Sequence, residues 1–329
     1  MEEGGSPMES IIQRYSGLHR LAIATTIATF FLILIGADVT SHEAGDSVPD
    51  WPLAFGRLVP WAHLQGGAIY EYTHRVIGAI VGLLMIALTI GLWRKESRRW
   101  VRLIGGAGLI LVILQGVMGG IRVLLVEYRL TTAIIHALLA QLFLGLVVSL
   151  VVFTSPAWFK AEEMKSHRLT STPMALYALV VATLSLFVQL VLGAAFRHGG
   201  LGILPHIIGA VVVTVLIGWA LFASIRTAAQ ASASLPAENF TTYLTRPVRW
   251  AIWLMLIQLA SGIAAYLTRL ASMTAPHPLA SMIWSTITHV TVGAAVLAVM
   301  VVLTLRMYRF LSLTGVLADT SSTPQGATP

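Results

Sequence analysis

Four histidines recur at matching depth in four apolar stretches of the chain: His74 in EYTHRVIG, His136 in AIIHALLA, His206 in LPHIIGAV and His289 in TITHVTVG. Each is read as lying one turn inside the same end of a helix. An ionisable side chain in hydrocarbon is costly, so it is retained there for a task. A lone histidine of this kind could bond a neighbouring carbonyl or line a water pocket. Four in equivalent places are read instead as paired axial ligands of haem, His74 with His136 and His206 with His289. A carboxylate joins them at one place: Glu71 lies three residues before His74 and on the same helix face. The corresponding residues before His206 and His289 are Ile203 and Thr286. This asymmetry predicts one site for chemistry and one for electron storage. Capping of the helix start by Glu71 is the other reading, and the two are compatible.

The elements that must carry these residues follow from composition. Hydrophobic residues make up 57% of the chain and charged ones 11%, against roughly 25% charged in a soluble domain. About 20 apolar residues span a bilayer as a helix, and such runs centre near Ile27, Leu83, Leu111, Leu144, Leu184, Val213, Leu256 and Leu297. No run alternates with the period of a barrel strand. The fold class expected is an all-α integral membrane protein with eight transmembrane helices. The opening MEEGGSPMES is acidic where a secretory leader is basic, so the first helix is expected to stay in the mature protein. The chain has no cysteine, which excludes disulfides, thiolate metal sites, iron–sulfur ligation and covalent c-type haem attachment.

Basic residues are unevenly shared between the two sides. Arg14, Arg20, Arg94, Lys95, Arg98, Arg99, Arg102, Lys160, Lys165, Arg168, Arg226, Arg246, Arg249, Arg306 and Arg309 fall on one side, 15 of the 21. Arg57, Arg75, Arg122, Arg129, Arg197 and Arg269 fall on the other. The positive-inside rule then puts both termini in the cytoplasm and the four histidines near the outer face. This topology accounts for the net charge of +7 without a nucleic-acid partner. Odd helices share a Gln and Gly spacing, as in Gln115 with Gly119, Gln189 with Gly193 and Gln258 with Gly262, read mainly as helix packing. Even helices carry the histidine, followed by glycine in three of the four. The chain therefore reads as two parallel four-helix bundle repeats. The expected divisions are a cytoplasmic segment 1–20, a first half 21–153, a cytoplasmic linker 154–172, a second half 173–310 and a disordered tail 311–329. A further polar stretch, Ala228 to Asn239, reads as disorder-prone. Arg75, Arg122 and Arg197, near the outer surface, could meet haem propionates or snorkel to lipid headgroups.

EYTHR at 71–75, the PDWPLAFG loop at 49–56 and one histidine in each even helix closely resemble the haem A synthases, membrane enzymes that oxidise a methyl of haem O to the formyl of haem A. The resemblance covers about residues 20 to 310. It implies that His74 and His136 hold the substrate haem O, that Glu71 serves the oxidation, and that His206 and His289 hold a haem b cofactor. It also implies successive hydroxylation of one carbon, and a place in cytochrome oxidase assembly beside haem O synthase in the inner membrane, with an electron donor or acceptor still to be identified. Many bacterial members have a cysteine pair bracketing the PDWPL loop, where this chain has Val48 and Ala54. A thiol route for electrons is therefore not expected here. Two rival readings use the same histidines: a diheme b-type electron carrier, and a haem transporter built from parallel repeats. The carrier would want one haem near each face, and the transporter would want helices broken near the midmembrane.

Overall fold

With no water to satisfy a bare backbone in lipid, each crossing must close its hydrogen bonds within itself. In the computed structural model the described residues are 7–166, 173–232, 241–275 and 277–319. Among them are eight helices long and apolar enough to cross a membrane, and no strand. They are α1 (Pro7–Ser41), α2 (Gly67–Lys95), α3 (Arg99–Leu124), α4 (Arg129–Thr154), α5 (Met174–Arg197), α6 (Ile203–Ser232), α7 (Arg246–Ser272) and α8 (Ala280–Leu313). Local sequence sets several ends. Pro156 follows α4, where Ser155 caps the short helix Pro156–Lys160 by accepting from the Trp158 N–H. Pro247 sits in the first turn of α7, where a missing N–H costs nothing.

Several elements run further than the sequence reading placed them. The first helix begins at Pro7, well inside the segment read as 1–20, because Tyr15 and Leu18 have a core to enter. Helix α6 continues through Ala228 and Ala231 to Ser232, although a disorder-prone stretch was expected from Ala228. Both alanines are buried against the cluster containing Tyr243 and Phe310, and alanine is the strongest helix former. Helix α8 runs to Leu313, and a turn at Val316–Asp319 follows with Val316 buried, so packed chain extends past residue 310. The start of the linker is also folded, with Trp158 buried. Residues 167–172 of the linker, residues 233–239 of the polar stretch and the tail beyond 319 lie outside the described residues.

The helices close two rings. Helix α1 packs on α2, α2 on α3, α3 on α4 and α4 back on α1; α5 to α8 repeat the same cycle. The rings meet through α1, α4, α5 and α8. Each has its own apolar core, one around Met85, Leu88 and Leu144 and the other around Leu179, Ile217 and Leu303. Side chains such as Leu83, Ile110, Leu184, Val215 and Ile263 point away from both cores and are largely exposed. An apolar exterior of this extent is what lipid covers.

At the end opposite the histidines, Glu96 between α2 and α3 is buried. Its carboxylate accepts from the Arg98 side chain at 2.7 and 2.9 Å and from the Tyr15 hydroxyl at 3.1 Å. Arg98 also donates to the Phe153 carbonyl, so one ion pair ties α1, α2, α3 and α4 together. Burial pushes the Glu96 carboxyl up, but the hydrogen bonds and charge of Arg98 outweigh it and hold it below the ordinary carboxylate range. A depressed carboxyl stabilises the fold above its unfolded pKa, and that contribution is lost as pH falls through the folded value. Glu96→Gln is expected to cost about 1–3 kcal/mol at pH 7. Thermal unfolding in detergent should show the gap between wild type and variant narrowing as pH falls below the usual carboxylate pKa.

Candidate functional site

All four histidines lie toward the starts of even helices, at one end of the molecule. His206 is one turn inside α6, as read from the sequence, whereas His74, His136 and His289 lie two or more turns in. The helices begin earlier than their apolar runs because flanking residues such as Gly67, Arg129 and Ala280 join the first turn. Each imidazole crosses to the preceding odd helix and meets a glycine there. A Cβ built on Gly36 would stand 3.0 Å from Cε1 of His74; on Gly119, 3.4 Å from His136; on Gly193, 2.9 Å from His206; on Gly262, 2.8 Å from His289. The ring occupies the space a side chain would take. Sequence reasoning missed this role for the glycines, and Gly36 altogether; their common offset from the glutamines in three odd helices was the signal that could have found it.

The rings also face one another in pairs. The His74 and His136 centroids are 6.5 Å apart with planes at 64°, and those of His206 and His289 are 6.3 Å apart at 85°. Two imidazoles on opposite faces of one metal, each with a bond of about 2.0 Å and a ring radius of about 1.1 Å, would have centroids about 6.2 Å apart. Nδ1 of both His74 and His136 is buried without a hydrogen-bond partner. Among the described residues no group of three or more His, Cys, Asp or Glu side chains gathers to hold a metal. The donor set in each half is thus two imidazoles across a gap, which fits a metal whose other ligands come from a porphyrin.

Only the first pair has a carboxylate beside it. Glu71 is 5% exposed, and its oxygens accept from the Val48 N–H at 2.9 Å and from Arg75 at 2.6 Å. It stands past the first turn of α2, so it caps no helix end. Arg75, read from the sequence as meeting either a haem propionate or lipid headgroups, donates to the carbonyls of Val48, Asp50 and Leu53 as well as to Glu71. Four oxygens of the chain occupy its terminal nitrogens. Together Glu71 and Arg75 fasten the outer loop to α2. Inside that loop the Asp50 carboxylate accepts from the N–H groups of Gly56 and Phe55, both at positive φ, and the bond from Gly56 leads the effects that hold its pKa low. The Trp51 ring lies against Gly120 of α3. Val48 and Ala54 are buried with Ala68 in one small cluster, so the two positions where cysteines were considered are filled by apolar contact.

The remaining arginines line the seam between the rings. Arg122 lies over Gly45, and Arg197 donates to the Ala37 carbonyl and the Ser41 hydroxyl, each at 2.8 Å. This bond joins the outer ends of α1 and α5, which run in the same direction, as parallel repeats require. Burial, then the charges of Arg122, Arg197 and Arg269, lower the pKa of neighbouring His198 to about 4. The seam is therefore electropositive with His198 neutral at pH 7. Arg269 was not singled out from the sequence.

Residues 19–206 match the family model described as cytochrome oxidase assembly protein, COX15-CtaA, a stretch that includes Glu71, His74, His136 and His206. A heme A synthase of Shouchella clausii is 27% identical over 187 residues, 56% of this chain and 60% of that protein. Those of Alkalihalophilus pseudofirmus and Symbiobacterium thermophilum are 30% identical over 133 residues and 34% identical over 110. These two alignments take in 40% and 32% of this chain, and 44% and 35% of the relatives. The chain thus spans about a third to three fifths of the relatives it matches. With two histidine pairs in a multi-pass helical membrane protein and a family match over more than half its length, this chain belongs to the cytochrome oxidase assembly protein family, COX15-CtaA.

Proposed function

We propose that this protein is a haem A synthase, converting a methyl group of haem O to the formyl group of haem A for terminal respiratory oxidases. The observation that carries the reading is the asymmetry between two otherwise matching imidazole pairs, with buried Glu71 beside His74 and His136 only. In this reading residues 21–153 form the substrate half and residues 173–310 the cofactor half. His74 and His136 hold haem O by its iron, and His206 and His289 hold haem b. Held by two histidines, haem b would supply electron transfer.

The reacting methyl loses four electrons in all: two hydroxylations give a gem-diol, which loses water to leave the aldehyde. With water as the oxygen source the four electrons and four protons pass to an external acceptor; with dioxygen as the source an external donor supplies the electrons that reduce its second oxygen atom to water. Glu71 serves the oxidation in two ways. By bonding Val48 and Arg75 it keeps the loop over the first pair and limits water. Its negative charge, held in a site of low dielectric, favours positive charge developing on the substrate. Arg122 and Arg197 at the seam would meet haem propionates, Arg197 while also holding Ala37 and Ser41, with Arg75 committed to the loop. The concentration of basic residues at the other end supports an inner-membrane orientation with both termini cytoplasmic.

Three measurements test these assignments. His206→Leu or His289→Leu is expected to abolish a low-spin b-type spectrum while the protein stays in the membrane; unchanged haem b in both would refute that ligand pair. For topology, the cysteine-free chain allows a single Leu58→Cys probe, since Leu58 is 80% exposed in the loop and Ala54 is buried. An impermeant thiol reagent should label it from the periplasmic side, and labelling only from the cytoplasm would reverse the orientation. Glu71→Gln keeps size and one of the two acceptor oxygens but removes charge. Cells relying on this variant should accumulate haem O or its hydroxymethyl form, with haem A falling at least about a hundredfold, the scale of losing one electrostatic contact in a transition state. Normal haem A would sink the catalytic role of Glu71.

A further inference from the structure

The four imidazoles are seated alike but are not secured alike. One turn before each facing glycine, the odd helix presents a residue whose main chain lies beside the ring: Leu32, Gln115, Gln189 and Gln258. Three of these are glutamines that bond the histidine. The Gln115 amide donates to the His136 carbonyl at 3.0 Å. That of Gln189 donates to the His206 carbonyl at 2.9 Å and lies 3.0 Å from its Nδ1. That of Gln258 is 3.4 Å from Nε2 of His289, whose Nδ1 is 3.4 Å from the Ser261 hydroxyl. Oε1 of every one of these glutamines is buried and without a partner. A neutral imidazole bound to a metal through one nitrogen carries its proton on the other, which needs an acceptor; a half-turn of the Gln189 or Gln258 amide presents Oε1 to it, in Gln189 in exchange for the bond to the His206 carbonyl.

The fourth position is Leu32. It packs over Gly78 of α2 as Gln189 packs over Gly209 and Gln258 over Gly293, so the space matches and only the chemistry differs. Nδ1 of His74 is buried and unpartnered, as is that of His136, whose glutamine bonds only its main-chain carbonyl; His74 differs in lacking even that anchor. We infer that Gln115, Gln189 and Gln258 are positioning residues that orient and strengthen their histidines, and that Leu32 leaves His74 as the weakly held ligand through which the first site exchanges its haem. A resident haem b needs two secured ligands. A haem that enters as substrate and leaves as product needs one bond that breaks readily. The inference rests on the assignment of the first pair to substrate.

The test uses the full-length purified protein loaded with haem O, with apomyoglobin as acceptor and the haems separated chromatographically. Leu32→Gln should slow haem O release by about tenfold or more, the scale on which such outer hydrogen bonds alter metal affinity, and leave the haem b spectrum intact as a check on folding. Gln258→Leu should speed haem b loss by a similar factor and raise its midpoint potential, since a hydrogen-bonded imidazole is the better electron donor. Gln258→Glu, which keeps an acceptor, should restore both. Unchanged haem O release in Leu32→Gln with an intact haem b spectrum, or unchanged haem b retention and potential in Gln258→Leu, would overturn the inference. His74→Ala separates the two layers: undiminished haem O binding in that variant removes the substrate-site assignment itself.

Discussion

An imidazole can enter the seam between two packed helices only where the facing helix has no side chain. Gly36, Gly119, Gly193 and Gly262 meet that condition, and much of the outer half of the molecule follows from it. With no Cβ opposite, each histidine lies across its odd-helix neighbour and reaches the interior of its ring of helices. There it faces the histidine from the diagonally opposite even helix. The two centroid separations, 6.5 and 6.3 Å, agree closely between the halves. Glycine is a poor helix former in water. In lipid, where the backbone has no alternative partner, that cost recedes and close approach becomes the gain.

Against this shared frame the first half departs in two places, and both concern the surroundings of its histidine pair. Glu71 brings a buried charge, neutralised by Arg75, that ties α2 to the loop between α1 and α2. Leu32 takes away the hydrogen bond that the other three positions supply. A charge is tolerated in so apolar a setting because every oxygen of the carboxylate has a donor. The same pair also explains the loop. Its carbonyls at Val48, Asp50 and Leu53 converge on one guanidinium, which satisfies all three.

Much of this was legible in the sequence. Eight apolar runs give eight helices because crossing length is fixed by the bilayer, and the histidines declared themselves by the cost of their setting. Helix ends were less legible. Composition cannot tell that Ala228 and Ala231 find a core or that Tyr15 meets Glu96 across 81 positions of chain. Side-chain commitments were hidden for a similar reason. Arg75 and Arg122 look equivalent in sequence, and only the fold brings three loop carbonyls to one of them. The glutamine and glycine spacing was visible but looked like packing, because its meaning depends on which neighbouring helix faces it.

The absence of cysteine takes on a structural sense in this light. The loop between α1 and α2 must be held against thermal opening, and a disulfide is one way to hold such a loop. Here the carboxylate of Asp50 closes the turn at Phe55 and Gly56, Val48 and Ala54 meet Ala68 in a dry cluster, and Glu71 with Arg75 fastens the loop to α2. None of these contacts depends on redox state. The loop is thereby tied to the same carboxylate that stands beside the first histidine pair, so whatever displaces Glu71 also loosens the cover of that site. Closure of the site and the charge within it are a single arrangement of one side chain, which the second half, with no such carboxylate, does not have.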